Sequence, residues 1–469
     1  MNTLVTPPQS AFHPQLFEAT LFARIGGWLG RNRDVIAKVQ WCVIALYAVL
    51  VAFPAFLPLP ERHVHMWNNL TLAAQFMFWG IWWPFVLVSM IVFGRAWCGL
   101  LCPEGALSEF VSRYGHGRSI PRWMTWPGWP FVAFATTTIY GQLVSVYQYP
   151  KPALLILGGS TAAAVAIGFL YGRNLRVWCR FLCPVNGVFN LLAKLAPIHF
   201  RVDAAAWRAS HERGEHPKNL HCAPLVPVRN MTGAGQCHMC GRCSGFRSAV
   251  QLAPRLPNHE IVNLADRHPH PWETALIFFG MLGLALGAFR WTNSSLFVEL
   301  KQTLATWLVQ HQLLWPLQWS APWWLLTNYP GSNDVMNLID GVVLLTYLIG
   351  TALLMGGALY LVTALATRSM GAWSSRRFHH IAQCFIPLAG CGVFLGLSAL
   401  TVTQLRAEHL NMSWASQTRD ILLALSCIWS GWLAWRVISR HARGARRFTA
   451  ALLTLVGIVA TGFVWRTTF

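Results

Sequence analysis

Charge is scarce in this sequence. Only 11% of its 469 residues are Asp, Glu, Lys or Arg, and the 16 acidic residues are outnumbered by 36 basic ones. With 55% hydrophobic residues and 25 tryptophans, that balance excludes a soluble globule of this size. No Cys-x-x-Cys-His haem attachment occurs, and no phosphate loop, catalytic base or nucleophile stands out in a recognisable motif. No substrate-transforming active site is therefore expected. Basic stripes interleaved with stacking aromatics on a soluble domain are also missing, so nucleic acid is not an expected partner. Nor is a cleavable signal peptide expected. Residues 1–36 are polar and then amphipathic (Phe17, Leu21, Phe22, Ile25, Trp28, Leu29), ending in Arg31 and Arg33, the pattern of an interfacial cytoplasmic helix.

What is abundant is apolar sequence in runs of about twenty residues, each long enough to cross a bilayer as a helix. Spans are predicted near 39–58, 68–93, 125–147, 153–171, 272–290, 341–365, 380–402, 420–437 and 448–465. With the N-terminus inside, inner segments hold 29 of the 36 basic residues and outer segments 7. That asymmetry predicts a multi-pass protein of the bacterial inner membrane, N-terminus cytoplasmic and C-terminus periplasmic, with membrane lipid as its surroundings. The fold class is an all-α polytopic membrane protein of about nine helices with one small cytoplasmic segment. Four parts follow: a cytoplasmic interfacial segment 1–36, tandem transmembrane hairpins 37–200, a cytoplasmic cysteine-bearing segment 201–270, and a five-helix membrane unit 271–469. The polar segment 201–270 has few apolar residues, so its fold is expected to form around a metal centre. In the outer loop 291–339, helical spacing between Leu296 and Leu308 and six tryptophans predict a helix lying on the outer leaflet.

The cysteines carry the chemistry. Arg95-Ala-Trp-Cys98-Gly-Leu-Leu-Cys102-Pro and Arg176-Val-Trp-Cys179-Arg-Phe-Leu-Cys183-Pro are near copies, each after a pair of apolar runs. A third group, Cys237-His-Met-Cys240-Gly-Arg-Cys243, follows, and Cys222 precedes it. All eight fall in inner segments, where a reducing compartment favours metal or redox use over disulfides. Cys-x2-Cys-x2-Cys is the core of a ferredoxin run, and eight thiolates are what two [4Fe–4S] clusters need. Short spacings let one loop supply several soft ligands, and proline after the second cysteine fixes the chain's exit. Trp97 and Trp178 are expected at headgroup level, and Gly105 and Gly187 at turns or close approaches. The ferredoxin run is incomplete, since Arg247 and Ser248 stand where its fourth cysteine and proline belong. Two partitions are open. One groups Cys98, Cys102, Cys179 and Cys183 against Cys222, Cys237, Cys240 and Cys243; in the other, a thiolate of a Cys-x3-Cys-Pro pair caps the Cys237 group. A zinc knuckle completed by Cys222, His221 or His238 competes with both.

The paired Trp-Cys-x-x-Leu-Cys-Pro loops with Cys-x2-Cys-x2-Cys resemble the membrane polyferredoxins of the NapH, NosR and CcoG types over roughly residues 37–250. The resemblance implies [4Fe–4S] clusters facing the cytoplasm and one-electron transfer serving a periplasmic or membrane metal process. The extra five spans look like the polyferredoxin subunit of FtrABCD-type ferrous-iron uptake systems. That likeness implies a redox partner subunit, namely a periplasmic cupredoxin or cytochrome, or a metal permease. Inner clusters cannot reach an outer partner across the hydrocarbon unaided, so a quinone is a further candidate. A copper- or iron-handling assembly accessory protein and a zinc-stabilised scaffold are the rival functions.

Secondary candidates are weaker. Cys384 and Cys391, with Pro387 between them, are read as packing, as are Cys42 and Cys427. His63, His65 and Met66 in one outer loop, and Glu408, His409 and Met412 in another, are metal-binding residue types more often merely solvated. His379 and His380 are expected as interfacial polar residues. Arg95, Arg176, Arg180 and Arg242 should lie close to the thiols and favour a reduced cofactor.

Overall fold

The computed structural model describes residues 20–61, 64–213, 220–267 and 270–468. Helix α1 (Leu21–Arg31) begins at Thr20, whose hydroxyl accepts from the Ala23 amide. Eight helical segments among the described residues are long and apolar enough to cross a membrane: Arg33–Phe56, Leu70–Phe93, Pro150–Tyr171, Pro271–Asn293, Leu338–Ser369, Ser375–Ala407, Trp414–Ile438 and Gly444–Arg466. Their outward faces carry bare apolar side chains, such as Leu354 at 77% exposure and Ile428 at 68%, as faces turned to lipid do.

The expected span at 125–147 forms a shorter helix, Trp129–Leu143. Fifteen residues rise only about 23 Å, short of the ~30 Å hydrocarbon core. Chain parity nevertheless requires it to cross. The cysteine loops on either side of Pro150–Tyr171 line one cavity, so a second crossing must return the chain, and this helix supplies it. Turns at 122–125, 127–128 and 144–148 add length at the two ends.

Pro271–Asn293 is the central helix, 72% buried where Arg33–Phe56 is 11%. Its first turn carries Glu273, which joins the two membrane units. Lys194 donates to Glu273 at 2.6 Å and to Gln383 at 3.0 Å, while Asn190 and Gln383 amides donate to the same carboxylate. A buried charge needs such partners.

The segment between the units is built on an antiparallel strand pair, β1 (Ile198–Val202) with β2 (Val250–Pro254), in register Phe200 to Leu252. Phe200, Val228, Met239, Val250 and Leu252 form a small dry core beneath it, which the sparse apolar content of 201–270 did not suggest. Helix α1 lies on β2: Phe22 packs into that core, and a Cβ at Gly26 would stand 2.9 Å from Leu252 Cβ. Phe17 lies outside the described residues. In the far loop, Ser295–Gln310 is helical as expected, capped by Ser294.

His379 and His380 depart from expectation. They are tied inward because the polypeptide supplies partners that sequence spacing cannot show. His380 is fully buried, its Nε2 donating to the Ile261 carbonyl at 2.7 Å and its Nδ1 facing His441 Nε2 at 2.8 Å. His379 meets the Thr274 hydroxyl at 2.8 Å.

Candidate functional site

The two copied loops fold alike. In each, a single helical turn (Ala96–Leu100, Val177–Phe181) carries the first cysteine. The amide of the second then closes back on the tryptophan carbonyl, Cys102 to Trp97 at 2.9 Å and Cys183 to Trp178 at 3.0 Å. After Cys102, Pro103 starts the helix Pro103–Ser112 from its first position, where a missing N–H does no harm.

The arginines that open the loops cross between them. Arg176 is 2% exposed and reaches the first loop, donating to Glu109 at 2.7 Å, to the Cys98 carbonyl at 2.5 Å and to the Gly99 carbonyl at 3.5 Å. Arg95 reaches the second, donating to Asn186 at 2.8 Å and to the Gly235 carbonyl at 3.2 Å. These exchanges bring all four thiols of Cys98, Cys102, Cys179 and Cys183 onto one cavity of about 150 Å³. A Cβ at Gly105 would already lie 3.5 Å from Cys179 Sγ. Trp97 and Trp178 do not sit among headgroups. Trp178 is buried and donates to Glu104 at 3.1 Å, and Trp97 packs edge-on against Trp82 at 5.1 Å. The indole N–H finds a carboxylate in the other loop, a tertiary partner invisible in local spacing.

Cys222, Cys237, Cys240 and Cys243 form the second group. Cys243 lies in the electrostatic field of the other three, and Cys237 packs with Cys222 and Cys243 in the small core. The thiols that act on Cys102 and Cys183, by contrast, belong to the first group, with Glu104 beside them. The groups adjoin at Gly99, where a Cβ would come within 2.0 Å of the His238 carbonyl oxygen and 2.9 Å of the Cys240 amide nitrogen. Arg176 faces Cys179 and Cys240, and Arg95 acts on Cys179 and Cys237, so two buried guanidiniums stand between the groups. Arg180 and Arg242 act on Cys222.

Burial is the first cause that raises the thiols above their ordinary range: Cys179 and Cys237 up to about 12, and Cys102, Cys183, Cys222 and Cys243 upward as well. Left alone these thiols would be neutral, so thiolates here need bound cations. Glu109 runs the other way. Burial would raise its carboxyl, but Arg176 and Arg242, which both bond it, hold it below the ordinary range. Both ring nitrogens of buried His238, and Arg95 Nε, lack hydrogen-bond partners; an acceptor-rich cofactor would satisfy Arg95 Nε–H and the one N–H of a neutral His238 ring. Among the described residues, no three His, Cys, Asp or Glu side chains gather as ligands of one metal ion.

Sequence spacing missed Glu104, Glu109, Gly99 and Asn186. For the two glutamates a signal existed, since a chain with 16 acidic residues places few of them by accident beside thiols. On the opposite side, the two outer groups meet. His65 Nδ1 lies 2.9 Å from Glu408, whose other oxygen accepts from the Met66 amide at 2.6 Å. Met66 and Met412 are buried, and His63 lies outside the described residues. Cys384 is fully buried in the main apolar core, and Cys391 and Cys427 pack against it.

A 4Fe–4S binding domain family matches this chain at residues 75–121 and 154–203, covering both copied loops. Over 239 residues the chain is 24% identical to YccM of Escherichia coli (strain K12), a protein provisionally described as an electron transport protein. The alignment covers 45% of this chain and 65% of that protein, so the chain spans less than two thirds of that relative's length. No solved structure matches.

Proposed function

We propose that this chain, whose two copied loops match a 4Fe–4S binding domain family, carries two [4Fe–4S] clusters on its cytoplasmic face and passes electrons between them. Cys98, Cys102, Cys179 and Cys183 hold one, and Cys222, Cys237, Cys240 and Cys243 the other. When bound, such clusters supply one-electron couples. The chain's own residues hold them side by side, exclude water through Trp82, Trp97 and Trp178, and set their potentials through Arg95, Arg176 and the Glu109 pair. The observation that carries this reading is the contact of the two thiol groups at Gly99 and His238.

The process served lies on the far side of the membrane, ferrous-iron uptake being the form that the resemblance implies, with a cupredoxin, cytochrome or metal permease as partner. Three cavities support an electron path toward that side. The thiol-lined cavity shares Trp83, Thr137 and Phe189 with an apolar one, which shares Trp79, Tyr147 and Phe289 with a far-side cavity of about 720 Å³. A membrane-soluble carrier such as quinone would use that route.

Serine replacements test the assignment. In anaerobically purified protein, Cys98→Ser and Cys183→Ser should each remove about half the bound iron, as should Cys237→Ser, and the double variant Cys98→Ser with Cys183→Ser should lose no more than either alone. Unchanged iron, or additive losses within one group, would count against it.

A further inference from the structure

A second opening reaches the site, from the side that bears the thiols. A cleft of about 780 Å³ lies between Arg33–Phe56, Pro103–Ser112 and the Cys240 loop, with Cys240 itself in its wall. Among the described residues no other cysteine lines it. Its cations are Arg33, Arg113 and Arg242, with His221, and its anions are Asp34 and Glu109. Glu109 is already committed to Arg176 and Arg242. Arg33 donates only to the Gly30 and Arg242 carbonyls. Arg113 is exposed, its guanidinium over the Phe110 ring at 5.9 Å, and it has no carboxylate partner among the described residues. Among the described residues, neither the Arg33 nor the Arg113 guanidinium bonds a carboxylate, although Asp34 shares the cleft, and the chain as a whole carries a net charge of +20.

We propose that this cleft is the docking site of a small acidic one-electron carrier protein that delivers electrons next to Cys240. The proposal rests on the cluster reading above. The carrier would lose one electron and the chain's cofactor gain it, with no bond or proton transferred. Charge decides the partner: a surface bearing aspartates and glutamates is steered to unpaired arginines, and a single cleft suits the small, short-lived interfaces of electron transfer. A dinucleotide fits less well. Its phosphates call for a glycine-rich loop at a helix start, whereas the glycine here, Gly99, has the space beside it filled by the His238 carbonyl.

The test uses the full chain in neutral-lipid nanodiscs, with clusters verified by iron content, and a purified acidic [2Fe–2S] ferredoxin as probe. Two quantities are read: the affinity of the probe and the rate at which its reduced form transfers electrons. Both should fall with rising ionic strength. Arg113→Glu should lower both roughly tenfold, Arg113→Lys should restore them, and reduction by dithionite should be unchanged in every variant. Binding and rate indifferent to salt and to Arg113→Glu would overturn the proposal, as would direct reduction by NAD(P)H without the probe. So would an Arg113→Glu effect that requires anionic phospholipid in the nanodisc, because the cleft would then hold a headgroup. A chain without iron or sulfide would sink the cluster reading, and this proposal with it.

Discussion

At position 99 the side chain is a hydrogen because the His238 carbonyl occupies the space where a Cβ would go, 2.0 Å away. Nothing flexible can yield there, since the obstacle is backbone of the neighbouring thiol loop. Gly99→Ala should therefore push the two groups apart at an overpacking cost of about 1–3 kcal/mol or more. Gly105→Ala, whose Cβ would meet its nearest atoms at 3.3–3.5 Å, should be tolerated. Iron per chain checks this: Gly99→Ala should retain less than the wild type and Gly105→Ala the same amount. Equal iron in both variants would mean that the contact at Gly99 does not hold the site together. The eight thiols were legible residue by residue, because cysteine spacing is short-range information. The residues that orient them were not. Arg95 finds Asn186, and Arg176 finds Glu109, only after the two intervening helices Trp129–Leu143 and Pro150–Tyr171 have brought the copied loops face to face.

Among the elements, the strand pair was hidden from the sequence. Its strands are five residues each and stand far apart in the chain, so no turn signal links them. Once paired, they hold His199 in a setting that disfavours its charge. Burial first, then Arg255 and Arg201, lowers its pKa to about 4, and its Nδ1 is buried without a partner. Between about pH 6.5 and 4 the unfolded segment therefore binds a proton that the folded one refuses, so stability falls as pH falls through that window. Hydrogen-exchange protection factors over 198–202 and 250–254, corrected for the intrinsic exchange rate at each pH, should fall from pH 7 to pH 5 in the wild type and much less in His199→Gln. Identical pH profiles would remove His199 as the cause. The short helix Trp129–Leu143 teaches a related point: hydropathy marked the crossing, while its length is explained by the turns that extend it.

Across the whole molecule, hydropathy and repeat symmetry made the membrane architecture readable, since lipid imposes the same requirement on every span. The seam between the units was not readable, because Lys194, Glu273 and Gln383 come from three separate parts of the chain. That seam fixes the central helix against the thiol-bearing half and leaves the far-side cavity between them. The account as a whole depends on two neighbouring clusters in one chain. Iron and acid-labile sulfide in anaerobically purified protein, with electron paramagnetic resonance after dithionite reduction, test it most directly. The expected result is about eight of each per chain, two clusters of four, with signals broadened by magnetic coupling between adjacent centres. Zinc in place of iron, or iron without sulfide and without a reducible signal, would contradict it.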